Sequence, residues 1–264
     1  MDKLFVASAM RERHRMGFAI VTSTDPCLPV PMHVAAASSQ DVYSRALRDR
    51  GRHGELQVER EGGGLHPTSL RWWLRMPGAP DPVDFPAMAE INAGPILDIG
   101  CATGRHVEAL EKSWLSVEGI DSNEEAVRLA RHHGCTVQQA DFWSFAAAAR
   151  YRWLIALGNN LGIAGRLAAL PAFLERAAAM LMPGGEMLVS SVDWRDGPAD
   201  AGTAGYPGEM RVRHHYAGRT GAWFDWLYVD PDTLAAHAAA SGLGFRVVLR
   251  AQEVYVAVLR RGGG

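Results

Sequence analysis

From Gly94 to the C-terminus, short apolar runs alternate with helical stretches, and few architectures accept that order. Pro95–Ile99, Ser116–Ile120, Thr136–Ala140, Trp153–Leu157 and Glu186–Val192 read as strands. Between them lie helices: Gly104–Trp114, one ending near Gly134, and Leu167–Leu181, in which Pro171 must sit near the start or break the helix. Ser122 with Glu125 three residues on predicts a capping box for the second of these. Asp230 and Pro231 read as N-cap and first residue of a last helix, closed by Gly242. Alternation of this kind means a parallel sheet covered by helices on both faces. The last two strands, Phe245–Leu249 and Glu253–Leu259, are too close for a crossover and should pair antiparallel. The expected fold is α/β: a doubly wound, mostly parallel seven-stranded sheet with an antiparallel last strand.

Residues 1–93 read as an extension to this unit, which itself spans 94–264. The extension opens with a loose arm or a helix near Ala7–Met16. A polar helix follows over Asp41–Arg52, then a strand over Glu55–Arg60 and a Gly62–Gly64 turn. A Leu70–Leu74 stretch carries two tryptophans, Gly78–Pro82 reads as a linker, and Phe85–Ile91 as a short helix. A second departure is an insertion over about 195–229. In it Met210–Tyr216 and Ala222–Val229 read as two strands about a Gly218–Gly221 turn.

The most specific stretch is Ile96-Leu97-Asp98-Ile99-Gly100-Cys101-Ala102-Thr103-Gly104-Arg105-His106. An apolar strand ends in a turn of small residues that opens a helix. Glycines let a ligand approach the backbone, and the helix start offers free N–H groups. The dinucleotide fingerprint G-x-G-x-x-G is absent, since Ala102 stands at the middle position. Asp98 would repel a pyrophosphate and suits a cationic ligand. Asp121 ends the next strand, about 20 residues past the loop, where an acid accepts from ribose hydroxyls. Asp141 ends the third strand and is followed by Phe142, an acceptor for an amino group beside an apolar cover for a ring.

These residues resemble the motifs of class I S-adenosylmethionine-dependent methyltransferases. Leu97–Gly104 looks like their glycine loop, Gly119-Ile120-Asp121-Ser122 like the ribose motif, and Gln139-Ala140-Asp141-Phe142 like the adenine motif. Leu181-Met182-Pro183-Gly184-Gly185 through Val189 is similar to their late turn into strand five. The resemblance implies a Rossmann-like methyltransferase fold, S-adenosylmethionine as cofactor, and a cofactor site of Asp98, Gly100, Cys101, Ala102, Gly104, Asp121, Ser122, Asp141 and Phe142. It also implies that the end of strand four, Leu157, Gly158 and Asn159, lies beside the transferring methyl. The Asn/Asp-Pro-Pro-aromatic tetrad common in DNA amino-methylating members is replaced by Asn159-Asn160-Leu161, which argues against a nucleic-acid base as acceptor.

The acceptor side should come from outside the cofactor core. Arg71 and Trp73 in the extension, Asn160, and Tyr216, Trp223 and Trp226 in the insertion are the candidates. Alternation puts His215 on one face of its strand and His214 with Tyr216 on the other, and either histidine is a candidate general base. The competing reading makes this an ordinary amphipathic hairpin with surface histidines, and the tryptophans core residues. The expected activity is methyl transfer to an O, N or C nucleophile of a small molecule, of the secondary-metabolite type of small bacterial enzymes. The alternatives are a non-methylating reaction such as cyclisation, or a non-catalytic partner subunit.

Composition closes other classes. Lys and Arg number 27 against 29 Asp and Glu, a net charge of −2, without the basic excess of a nucleic-acid binder. No apolar run reaches the roughly 18 residues that span a bilayer, and Leu4–Met10 is too short for a signal peptide. Cys27, Cys101 and Cys135 form no CxxC pair, so neither a disulfide framework nor a metal site is expected, and His132-His133 read as solvated residues at a helix end. A cytoplasmic setting is expected.

Overall fold

The computed structural model describes residues 37–74, 83–146, 150–195 and 205–263. The Ala7–Met16 helix, Cys27 and the Gly78–Pro82 linker fall outside them.

Seven strands make the main sheet: β3 (Ile96–Ile99), β4 (Val117–Asp121), β5 (Val137–Gln139), β6 (Tyr151–Ala156), β7 (Leu181–Val192), β11 (Leu243–Ala251) and β12 (Val254–Arg261). Their order is β11-β12-β7-β6-β3-β4-β5. β3 pairs parallel with both β4 and β6, while β12 runs antiparallel to both β7 and β11. β3 is buried at every residue, as a central strand covered on both faces must be. Strand order reverses between β3 and β6, so the crevice at their carboxyl ends is where a doubly wound sheet takes a ligand.

Most sequence-read helices fall where expected, with one shift. Helix α5 (Glu124–His132) is capped by Asn123, whose Oδ1 accepts from the Ala126 N–H at 2.9 Å, and not by Ser122. The frame is one residue later than the box pattern, and Glu125 turns instead to Arg128 at 2.6 Å. His132 and His133 sit exposed at its end. Helix α6 (Leu170–Met180) carries Pro171 in its first turn, and helix α7 (Pro231–Ala240) is capped by Asp230, as read.

The extension and the insertion are not separate features. Strands β1 (Leu56–Arg60) and β2 (Leu65–Thr68) from the extension join β8 (Glu209–Tyr216), β9 (Arg219–Thr220) and β10 (Phe224–Leu227) from the insertion in one antiparallel sheet, ordered β10-β8-β1-β2 with β9 beside β8. β8 alternates half-buried and buried along its length. Its inner residues meet helix α1 (Ala37–Asp49), where Tyr43, Ala46 and Leu47 pack with Leu56, Trp73 and Tyr216 and with Ala126 and Leu129 of α5. This small second core fastens the cap to the main sheet. Helix α2 (Leu70–Trp73) and helix α3 (Asp84–Ala87) complete the cap, and helix α4 (Arg105–Lys112) follows the glycine loop. Among the described residues no helix is long and apolar enough to cross a membrane.

Candidate functional site

The loop between β3 and α4 is built to stay open. Gly100, Ala102 and Gly104 all take positive φ, at 76°, 46° and 79°. At Gly104 a Cβ would lie 2.8 Å from Cys135 Sγ, so only glycine fits. Ala102 pays a small steric cost that a glycine would avoid, and its N–H donates to Asp121 Oδ2 at 2.7 Å. Asp121 Oδ1 takes the Asn123 N–H at 2.8 Å, so this carboxylate joins loop, β4 and α5.

Two cavities flank Gly100. One is bounded by Ile120, Asp121, Ser122, Ala140, Phe142 and Ile163. The other lies between the loop and the β6 end, with Trp72, Trp73, His106, Leu157, Gly158 and Asn160 among its walls. Both lie at the crevice that the strand order marks out.

Asp98 lies one residue before the end of β3, wholly buried, and neither carboxylate oxygen has a hydrogen-bond partner. Burial, reinforced by Asp121 and Asp84, pushes its carboxyl well above the usual range. Asp84 is buried too; it takes the Gly158 N–H at 2.7 Å through Oδ2 and leaves Oδ1 unpartnered. Burial raises it to about 6, against the hydrogen bonds from Gly158 and Ser190. Asn160 donates to the carbonyls of Ile99 and Gly100 at 2.8 and 2.9 Å, clamping β3 to the segment after β6. Its Oδ1, and that of neighbouring Asn159, are buried without donors. One corner of the site therefore gathers acceptor oxygens and carboxylates and lacks donors. A ligand with ammonium and sulfonium charge supplies what these residues lack, so S-adenosylmethionine fits the donor set.

The structure brings most of the cofactor candidates together here. Gly100, Cys101, Ala102, Asp121, Ser122, Phe142, Leu157 and Gly158 line one of the two cavities, as does the acceptor-side candidate Asn160, while Asp98 and Asn159 are buried nearby and Gly104 shapes the loop. Phe142 also packs on Phe173, ring centroids 4.6 Å apart. Asp141 is half-buried, and its Oδ1 accepts from the Trp143 N–H at 2.7 Å.

The acceptor-side candidates divide differently. Trp73 lines the second cavity, while Arg71 is exposed. Trp226 is fully buried against the backbone of Gly162, in the core beneath the 3-10 turn Asn160–Ala164. Trp223 lies under the Arg213 guanidinium, 4.3 Å from the ring centroid. Tyr216 is buried, its hydroxyl accepting from the His53 N–H at 3.2 Å. The two histidines do take opposite faces, but neither lines either of these two cavities. His215 Nε2 is 2.6 Å from Glu59 Oε2 and Nδ1 is 3.0 Å from Thr220 Oγ1. His214 is buried between Tyr43 and Phe224, and burial takes it down to about 3. Strand pairing explains this: β1 runs alongside β8 and opposes Glu59 to Arg213, on the outer face that His215 shares. His215→Ala is therefore expected to keep turnover within about twofold of wild type, measured at saturating acceptor. A loss of a hundredfold would restore it as a base.

Sequence reading passed over His106, Asp84, Tyr43 and Ser190. His106 stands inside the most specific motif and follows the loop directly. Tyr43 is 1% exposed on the inner face of α1, its hydroxyl unpartnered, and burial, with Asp121 nearby, raises it well above the usual tyrosine range. Asp84 has no local signal, because its role depends on a partner more than seventy positions away.

Comparison with known proteins gives a consistent picture. A model of a methyltransferase domain matches residues 96–185, from β3 through the start of β7. The chain is 26% identical over 174 residues to the dTDP-3-amino-3,6-dideoxy-alpha-D-glucopyranose N,N-dimethyltransferase of Streptomyces fradiae, covering 62% of this chain and 67% of that protein. It is 29% identical over 162 residues to a ubiquinone biosynthesis O-methyltransferase of Nitrobacter winogradskyi, covering 56% of each. Thus the chain spans between about half and two thirds of these curated relatives. A S-adenosylmethionine-dependent methyltransferase of Bacteroides fragilis, solved with S-adenosyl-L-homocysteine, superposes with a TM-score of 0.75 and 28% identity, covering 87% of this chain and 98% of that one. The matched domain spans the loop and all three strand-end acids, and the structural likeness takes in 87% of the chain, so this chain carries a S-adenosylmethionine-dependent methyltransferase domain.

Proposed function

We propose that this enzyme methylates an amine nitrogen or a hydroxyl oxygen of a small polar molecule, in a cytoplasmic pathway of secondary metabolism. The observation that carries the reading is the cavity between Trp72, Trp73 and the β6 end, which adjoins the donor-poor corner of Asp84, Asp98, Asn159 and Asn160. The relatives' names, an amino-sugar-nucleotide N,N-dimethyltransferase and a ubiquinone biosynthesis O-methyltransferase, support nitrogen and oxygen as the atoms attacked. Near-balanced charge supports a small acceptor and no nucleic acid. Nothing supports cyclisation or a non-catalytic subunit.

In this reading residues 94–264 form the catalytic unit, and the extension before them caps it together with the inserted strands. Asp98 and Asp84 face the cofactor's positive charge, while the 100–104 backbone lies along it. Asp121 and Ser122 take the ribose, and Asp141 with Phe142 the adenine. Leu157, Gly158 and Asn159 border the methionine end, and Trp72, Trp73 and Asn160 border the acceptor. When bound, S-adenosylmethionine supplies a methyl group made electrophilic by its sulfonium. The chain's own contribution is to position the acceptor in line and to exclude water behind the cap.

The test is incubation with S-adenosylmethionine and dTDP-3-amino-3,6-dideoxyglucose, or a catechol as oxygen acceptor, followed by mass spectrometry. A gain of one methylene unit per transfer is expected with one of them, and no gain with any amine or hydroxyl acceptor would end this reading. Asp121→Ala should weaken S-adenosylhomocysteine by about 1.5–3 kcal/mol, as for a hydrogen bond to a charged group. Unchanged affinity by calorimetry would remove Asp121 from the ribose.

A further inference from the structure

His106 is a buried titratable group for which the loop and the strand-end acids leave no role. It stands in the first turn of α4 and is 5% exposed. Its ring lines the cavity beside the β6 end and lies between Trp72 and Phe85, with ring centroids 5.9 and 5.3 Å away. Nδ1 is 3.9 Å from Asp98 Oδ2, and Nε2, across the ring, has no hydrogen-bond partner. Burial, with Arg105 beside it, holds the imidazole down to about 3, so it stands neutral at pH 7. A neutral imidazole carries one N–H and one lone pair, and its surroundings choose between them. With Asp98 on the Nδ1 side, the proton belongs on Nδ1 and the lone pair on Nε2. The site thus holds a buried acceptor nitrogen whose donor must come from a ligand.

We propose that His106 Nε2 holds, and then receives, the proton of the acceptor nucleophile, with Asp98 keeping the ring in that tautomer. The inference rests on the methyl-transfer reading. The nucleophile's lone pair forms the bond to the methyl carbon, and the carbon–sulfur bond breaks with its pair left on sulfur. The N–H or O–H proton passes to Nε2. Asp98, held ionised against its burial by the cofactor's ammonium once that is bound, lies 3.9 Å from Nδ1 and is the opposite charge that favours the imidazolium so formed.

Sinefungin tests this without a known acceptor. It carries an amine where S-adenosylmethionine carries the transferring methyl, and S-adenosylhomocysteine carries nothing there. Calorimetry on the full chain should show His106→Phe losing about 10- to 100-fold in sinefungin affinity, while S-adenosylhomocysteine moves by less than about twofold. His106→Gln offers a carbonyl oxygen in place of the lone pair and should recover part of the loss. It also decides the matter against His106→Ala if the phenylalanine variant does not fold. Equal losses for both ligands would put His106 against their shared portion and overturn the proposal, as would an unchanged preference for sinefungin. Failure of the wild-type chain to bind S-adenosylhomocysteine would remove the cofactor reading itself, and the proposal with it.

Discussion

Asp98→Asn is expected to lower S-adenosylmethionine affinity by about 10- to 100-fold, the range for a charged hydrogen-bonded partner. Both oxygens of Asp98 are buried without donors, so the side chain is costly until a cation meets it. The same cost predicts a pH dependence that can be worked through at Asp84. Its carboxyl rises from 3.8 to about 6 on folding. Between those values the folded state binds more protons than the unfolded state, so this group's contribution to stability falls as pH rises. Two units correspond to about 3 kcal/mol, lost between roughly pH 4 and 6 and constant above. His106 and His214, held down to about 3, act in the opposite sense: they cost stability as pH falls below 6.5. Urea melts of wild type and Asp84→Asn at pH 4.5, 6 and 7.5 isolate the aspartate. The wild type should lose ground to the variant as pH rises, and a constant difference would refute the raised carboxyl. Protection by S-adenosylmethionine should grow over the same window, because ionised carboxylates bind its positive charge.

Gly162→Ala should destabilise the fold severely. A Cβ there would lie 1.9 Å from Trp226 Cε2, a distance no rotamer of alanine can relieve. Trp226 is fully buried and cannot retreat into solvent. Overpacking of this kind costs about 1–3 kcal/mol or more. Trp226→Ala opens a cavity on the same spot, at about 3–5 kcal/mol. The two changes share one volume, so the double variant should be less damaged than the sum of the singles. Thermal melts of the three variants test this, and strict additivity would mean the ring and the glycine do not share that space. The contact matters to the site because Gly162 belongs to the turn that carries Asn160, the clamp on Ile99 and Gly100. If Trp226 instead lined the acceptor pocket, its truncation would raise KM and leave the melting temperature unchanged.

The chain's local patterns were enough to read the strand–loop–helix of 96–112, the strand-end acids, the Asp230-Pro231 helix start and the antiparallel final pair. Each depends on residues within a few positions of one another: buried strands need apolar runs, a helix start needs an acceptor at its cap, and a short connection forces antiparallel pairing. Even the two faces of β8 follow from alternation alone, with His214 and His215 on opposite sides. What covers those faces depends on tertiary structure. β1 reaches β8 across about 150 residues of chain, and its Glu59 engages Arg213 and His215 on the outer face. Periodicity identifies a face but not its partner. Trp226 and Trp73 look alike in sequence, yet one is walled in by Gly162 and the other borders the cavity. His106 and Asp84 owe their importance to burial beside Asp98, which arises only when β3, α3 and α4 converge. Desolvation and charge proximity depend on distances in space, and distant segments acquire those distances only when the chain has folded.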